Sequence, residues 1–200
     1  DGVSGYIVQS NPHREAIEKK YTLQLINPTE LQVLEFVQFL SKRNFWLENQ
    51  QNKLTRWFCY QTKVSDTQRD KTKMYSVEVT FVCHPTKYMK NNDVQTLASN
   101  GVLRLQGSSL AFPKITIKGN SSSETSFTIG KQTIKLEQLS ESAVMLNDPQ
   151  NPSFLDKKGN LVKWSGDFIT IDANQNQKTV GVVLGPGIQS LVFETNWGWL

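Results

Sequence analysis

The sequence predicts a mainly β protein in two parts, an N-terminal β domain carrying one amphipathic helix and then an antiparallel β-sandwich. Three observations carry this. First, in MYSVEVTFVCHPTKYMK (Met74 to Lys90) the apolar Val77, Val79, Phe81 and Cys83 alternate with Glu78, Thr80 and Val82, the period-two pattern of a half-buried strand. Second, a single stretch, Leu31 to Leu40, has helical spacing. Third, from Gly101 onward the chain is a series of short apolar runs broken by Gly, Pro, Asn and Ser clusters, the pattern of a sandwich.

Taken in order, Tyr6, Ile7 and Val8 form a possible first strand and Tyr21–Ile26, YTLQLI, the next. Asn27-Pro28-Thr29-Glu30 follows as a helix start. Asn27 is suited to cap, Pro28 to the first helical position, and Glu30 stands three residues after the cap. Val33, Phe36, Val37 and Leu40 then share a face, with Leu34 beside them. The helix is expected over 29–43, laid on a sheet, with Lys42 and Arg43 at the negative end of its dipole. Phe45 to Glu48 and Leu54 to Val64 are strands around the polar turn Asn49 to Lys53. Ser65 to Lys73 has no apolar residue and reads as a mobile hairpin loop. The strand from Met74 is expected to stop at Pro85, which has no N–H for a ladder.

Polar residues 89–100 read as a linker, placing a first domain at 1–97 and a second at 101–200. The second domain's candidate strands are Val102–Leu105, Phe112–Ile117, Glu124–Ile129, Gln132–Leu136, Ser142–Leu146, Phe168–Ile171, Thr179–Leu184 and Ser190–Trp197.

Composition bounds the function. With 38% hydrophobic and 20% charged residues, the chain is of folded, soluble type. A net charge of +4 does not by itself argue for nucleic acid. Between Lys53 and Lys90 eight basic residues face three acids, but they are scattered over loops and strand exteriors, as on a solvated face. No run has the length of a membrane span and no signal peptide opens the chain. The first residue is Asp1, so an N-terminal segment is expected to have been cut, processed or left out. Cys59 and Cys83 lie in apolar strand runs, the setting of buried free thiols; a cross-strand bridge is the alternative.

Chemistry-bearing constellations are scarce. His13 and His84 are the only histidines, and Cys83 and His84, adjacent on a strand, point to opposite faces, which disfavours one metal site. Neither histidine lies near a nucleophile-elbow pattern. Asp148, Asp156, Asp167, Asp172 and Glu194 contain a conceivable glycosidase pair, but acids in sandwich turns ordinarily cap turns or solubilise the surface. No catalytic set, metal site or cofactor is expected. Trp164, Trp197 and Trp199 are the candidate binding residues, for a sugar or a subunit interface. Trp197 and Trp199, two apart, share a face if they lie on a strand; core or interface burial is the competing role.

The order of these pieces resembles the distal tail proteins of siphophages. The match rests on Phe81, Cys83, Pro85, Lys87 and Tyr88 at the close of the first domain, then Pro113, Lys114, Ile115, Ile117, Gly119 and Asn120, then Gly166-Asp167-Phe168. Ile169 stands where the family has Pro, and the chain ends Asn196-Trp197-Gly198-Trp199-Leu200, where the family has an aromatic-basic sequence.

The resemblance implies a structural virion protein without enzymatic activity, a distal tail or baseplate hub joining the tail tube to the tip. Six copies are expected to form a ring through the first domain. The second domain would be galectin-like and point outward, and DNA would pass the lumen without specific binding. Expected partners are the tail tube protein, a tail-tip or tail-associated lysin protein and a receptor-binding protein. The expected location is the tail tip of the virion, assembled in the host bacterial cytoplasm. The alternative is a carbohydrate-binding β-sandwich module recognising cell-wall polysaccharide.

Overall fold

The computed structural model describes residues 15–66, 68–69 and 74–200; the expected strand at Tyr6 to Val8, and His13, lie outside them. The chain divides into two compact units, Asp1–Asn49 with Trp57–Pro85, and Gln50–Arg56 with Thr86–Leu200. The boundary thus falls at Pro85 and Thr86, not between 97 and 101.

In the first unit β1 (Ile17–Ile26) leads into α1 (Glu30–Leu40), and β2 (Arg43–Leu47), β3 (Thr55–Val64), β4 (Gln68–Arg69) and β5 (Met74–Met89) follow. Four of the strands run in the order β1-β5-β3-β2, and β4 also pairs with β5. β1 and β5 are antiparallel from Ile17 opposite Cys83 to Ile26 opposite Met74. The inward side chains of β3 and β5 (Trp57, Cys59, Val77, Val79, Phe81, Cys83) form one core cluster with Leu40 of the helix.

The N-cap is Thr29, not Asn27: its hydroxyl accepts from Gln32 N at 3.3 Å, and Gln32 Oε1 accepts from Thr29 N at 2.9 Å. This capping box leaves Asn27 in the left-handed region at φ 50, a conformation Asn tolerates in a turn. The helix ends at Leu40, so Lys42 and Arg43 lie beyond its last turn.

β5 also runs through Pro85 to Met89. Pairing with β1 ends at Ile17 opposite Cys83, so on that side the proline sits past the ladder and no β1 carbonyl waits for its absent N–H.

The second unit opens with β6 (Asp93–Leu97), then β7 (Gly101–Arg104), β8 (Leu110–Ala111), β9 (Lys114–Ser121), β10 (Thr125–Ile129), β11 (Gln132–Leu136) and β12 (Leu139–Leu146). It continues with β13 (Ser153–Asp156), β14 (Trp164–Ser165), β15 (Ile171–Asp172), β16 (Thr179–Leu184), β17 (Ile188–Thr195) and β18 (Gly198–Trp199). Two five-stranded antiparallel sheets result, β14-β11-β10-β16-β7 and β13-β12-β9-β17-β6, with β8 and β15 as a separate pair. Phe127, Ile129, Ile134, Leu136 and Val182 from the first meet Ile115, Ile117, Met145, Leu191 and Phe193 from the second in one buried cluster, as in a sandwich.

Residues 89–100 are therefore not a linker: β6 is an edge strand of this sandwich, Leu97 opposite Leu191 and Asp93 opposite Thr195. The expected strand Phe168–Ile171 shrinks to its end, because side chains hold its backbone. Asn147 Oδ1 accepts from Ile169 N at 2.7 Å, and Gln132 accepts from Thr170 N and donates to Thr170 O. Bonds of this kind replace a ladder. One close approach requires glycine. A Cβ on Gly107, at φ +79, would fall 2.1 Å from Gly198 O, the carbonyl that accepts from Ser108 N and Ser109 N.

Candidate functional site

The candidate tryptophans separate. Trp197 is fully buried and donates its indole N–H to Asp93 Oδ2 at 3.0 Å. β17 ends at Thr195 and β18 begins at Gly198. Trp197 thus lies in neither strand, and the shared face expected with Trp199 does not form. Trp199, at the end of β18, is 37% exposed. Trp164 is half-buried, edge-on to Phe154 at 5.5 Å and to Phe168 at 5.1 Å, and packs against the sandwich core. The three rings do not assemble a flat platform.

The acids are engaged locally. Asp156 Oδ1 accepts from Lys158 N and Asn160 N, both at 2.8 Å, and these backbone donors, Asn160 first, hold its carboxyl below the usual range. Asp148 and Asp172 each accept from a backbone N–H two residues on. Glu194 pairs with Lys114 at 3.0 Å, and Asp167 is exposed. These are turn caps and surface ion pairs. Among the described residues no group of three or more His, Cys, Asp and Glu side chains could hold a metal.

Cys59 and Cys83 are free and fully buried on neighbouring strands of the first unit. Burial, with Cys59 alongside, pushes the Cys83 thiol up to about 12, and burial raises Cys59 also. Such thiols are poor nucleophiles. Burial lowers the His84 imidazole below its ordinary value, keeping it neutral. An open cleft of about 590 Å3 is lined by Asn120, Ser121, Ser122, Gln138, Leu139 and Ser140. Asn120 Oδ1 already accepts from Glu141 N, and Ser121 Oγ donates to Ser123 O.

What the first unit offers instead is surface. Among the described residues β1 stands at the edge of its sheet, ten residues without proline, and its last six, Tyr21 to Ile26, carry no charge. Such an edge is a template for another strand unless it is covered. On α1, Val33 and Leu40 are buried, while Leu31, Leu34 and Phe39 are 65%, 61% and 62% exposed. Seven of the eleven residues of ELQVLEFVQFL are apolar, more than one buried stripe uses. That excess is legible in the sequence, and Leu34, expected beside the shared face of Val33, Phe36, Val37 and Leu40, stands outward.

The architecture is that of a mainly β protein of two units, the second an antiparallel sandwich. Among solved structures the chain is similar to the Dit protein (gp 19.1) of SPP1, with 13% identity and a TM-score of 0.66, covering 92% of this chain and 79% of that one. That structure is described as a paradigm of the hub adsorption apparatus in phages infecting Gram-positive bacteria. The likeness is one of fold, and it extends over both units. No protein-family model matches the chain, and no curated protein matches it.

Proposed function

We propose that this chain is a structural virion protein of a phage tail tip, a hub that assembles as a ring between the tail tube and the tip or receptor-binding apparatus. The observation that carries it is the fold likeness to a phage hub protein over 92% of the chain. The surface of the first unit supports it. A long, partly uncharged edge strand is a liability in a monomer and an asset in a closed assembly, where a neighbour covers it. A ring of six with DNA passing its lumen is the specific form proposed. A tail tube protein on one side and a tip or lysin protein on the other are the partners. The role requires no turnover.

Light scattering and negative-stain imaging of the protein, with any sequence preceding Asp1 in its gene restored, test this. Rings of uniform stoichiometry are the expected result. A compact monomer at every concentration, with no ring on addition of tube protein, would overturn it.

A further inference from the structure

The turn after β9 and the turn before β12 carry a cleft made almost wholly of uncharged hydrogen-bonding side chains. The two strands lie side by side there, Asn120 opposite Ser140 and Ser121 opposite Leu139. Ser122 follows the end of β9 and Gln138 precedes the start of β12. These six residues line a space of about 590 Å3, a size that small-molecule sites commonly have. Leu139, buried, is the single apolar member of the lining.

The backbone of the cleft is braced while its side chains are left over. Asn120 N donates to Gly187 O at 2.9 Å, in the turn that precedes β17. Asn120 Oδ1 accepts from Glu141 N at 3.0 Å, which fixes the amide and leaves its Nδ2 donors unused. Ser122, Gln138 and Ser140 are exposed, and among the described residues their side chains take no hydrogen bond. The cleft therefore offers amide donors, an amide acceptor and hydroxyls that act as both.

Charge narrows the ligand. No ionisable side chain belongs to the lining. The carboxylates nearest in the chain are engaged with lysines: Glu141 with Lys157, Glu137 with Lys163 at 3.5 Å, and Glu124 with Lys135 at 3.8 Å. A phosphate or carboxylate would call for Arg or Lys in the cleft, and a hard cation for carboxylates. A wholly apolar ligand would leave the hydroxyls and amides desolvated without partners. A neutral molecule dense in hydroxyls, each both donor and acceptor, answers the lining group for group.

We propose that this cleft binds a neutral saccharide, with the side chains of Asn120, Ser122, Gln138 and Ser140 hydrogen-bonding its hydroxyls. All six lining residues lie in the second unit, so the site goes beyond the ring reading and does not depend on it. It is also separate from Trp164, Trp197 and Trp199, none of which lines it. With no aromatic ring to stack a sugar, affinity in the millimolar range is expected.

Saturation-transfer NMR on the full chain tests this, with methyl glucoside, methyl galactoside and N-acetylglucosamine as probes and glycerol and inorganic phosphate as controls. At least one of the saccharides is expected to bind saturably, and neither control. Ser122→Ala with Gln138→Ala and Ser140→Ala should weaken that binding about tenfold or more. The urea unfolding midpoint of this variant should not change, because the three side chains have no partner in the fold. Trp199→Ala should bind as the wild type does. Absence of saturable binding by all three saccharides would overturn the proposal, as would equal binding by the triple variant. Phosphate or glycerol binding as well as the sugars, or loss of the signal in Trp199→Ala, would overturn it too.

Discussion

In the second unit twenty-one apolar side chains are buried against nine large ones left exposed, whereas among the described residues of the first unit the figures are eight and six. The second unit closes two sheets on each other and fully encloses Trp197, Phe127, Phe154 and Phe193. The first lays one short helix on a single sheet, and Phe36, Phe45, Leu47, Tyr21 and Leu23 stay partly open. Burial is the main favourable term in folding. Among its described residues, the first unit therefore buries the smaller share of its apolar side chains.

Core truncations give the largest effect and the most direct test of this contrast. Phe127→Ala, at the centre of the sandwich, should cost about 3–5 kcal/mol. Phe81→Ala, edge-on to Tyr21 at 5.8 Å and to Phe45 at 6.0 Å, should cost about 3 kcal/mol, because its looser surroundings relax into the gap. Urea unfolding followed by hydrogen exchange separates the units. Equal losses, or a first unit more protected than the second, would break the comparison.

Smaller effects sharpen it within the first unit. Thr29→Ala removes half of the capping box and should cost about 1 kcal/mol, read as a lower unfolding midpoint and faster amide exchange in α1.

His84 supplies a pH signature. Its folded-state pKa lies below its ordinary value because of burial. The unfolded chain therefore takes up the proton first, near pH 6.5. The stabilising contribution is complete above about pH 6.5 and is lost as pH falls through the folded value. The first unit should unfold more readily from pH 7 down to pH 5, and His84→Gln should flatten that slope. An identical slope in the variant would assign the effect elsewhere. The smallest change is expected from Trp199→Ala, within about 0.5 kcal/mol, since the ring is a partly exposed terminal side chain.

Much of the architecture was legible because it depends on local pattern. The alternation Val77, Val79, Phe81, Cys83 became the inward face of β5, and Gln132–Leu136 and Thr179–Leu184 emerged with the expected bounds. What failed depended on distant partners. β6 is a strand because β17 lies beside it, which no local composition reveals, so polar residues 93–97 read as linker. Phe168 to Thr170 has strand composition, yet Asn147 and Gln132, more than twenty residues away, occupy its backbone groups. The tryptophan spacing was visible and the chain's turn between Thr195 and Gly198 was not. The helix carried its own signal, since an eleven-residue segment with seven apolar positions cannot hide them all against one sheet.

The interruption of the first unit by Gln50–Arg56, together with the placement of β6, has a practical consequence for dissecting the molecule. A fragment beginning at Gly101 would strip β17 of its outer neighbour and leave the Trp197 indole without the Asp93 carboxylate. Even a fragment beginning at Thr86 lacks the seven-residue insert, including Asn52, whose carbonyl oxygen accepts from Lys87 Nζ, and Leu54, whose main-chain oxygen accepts from Lys90 N. Neither half is a contiguous cassette. A clean excision of the sandwich needs residues 50–56 supplied as a separate peptide or grafted by circular permutation.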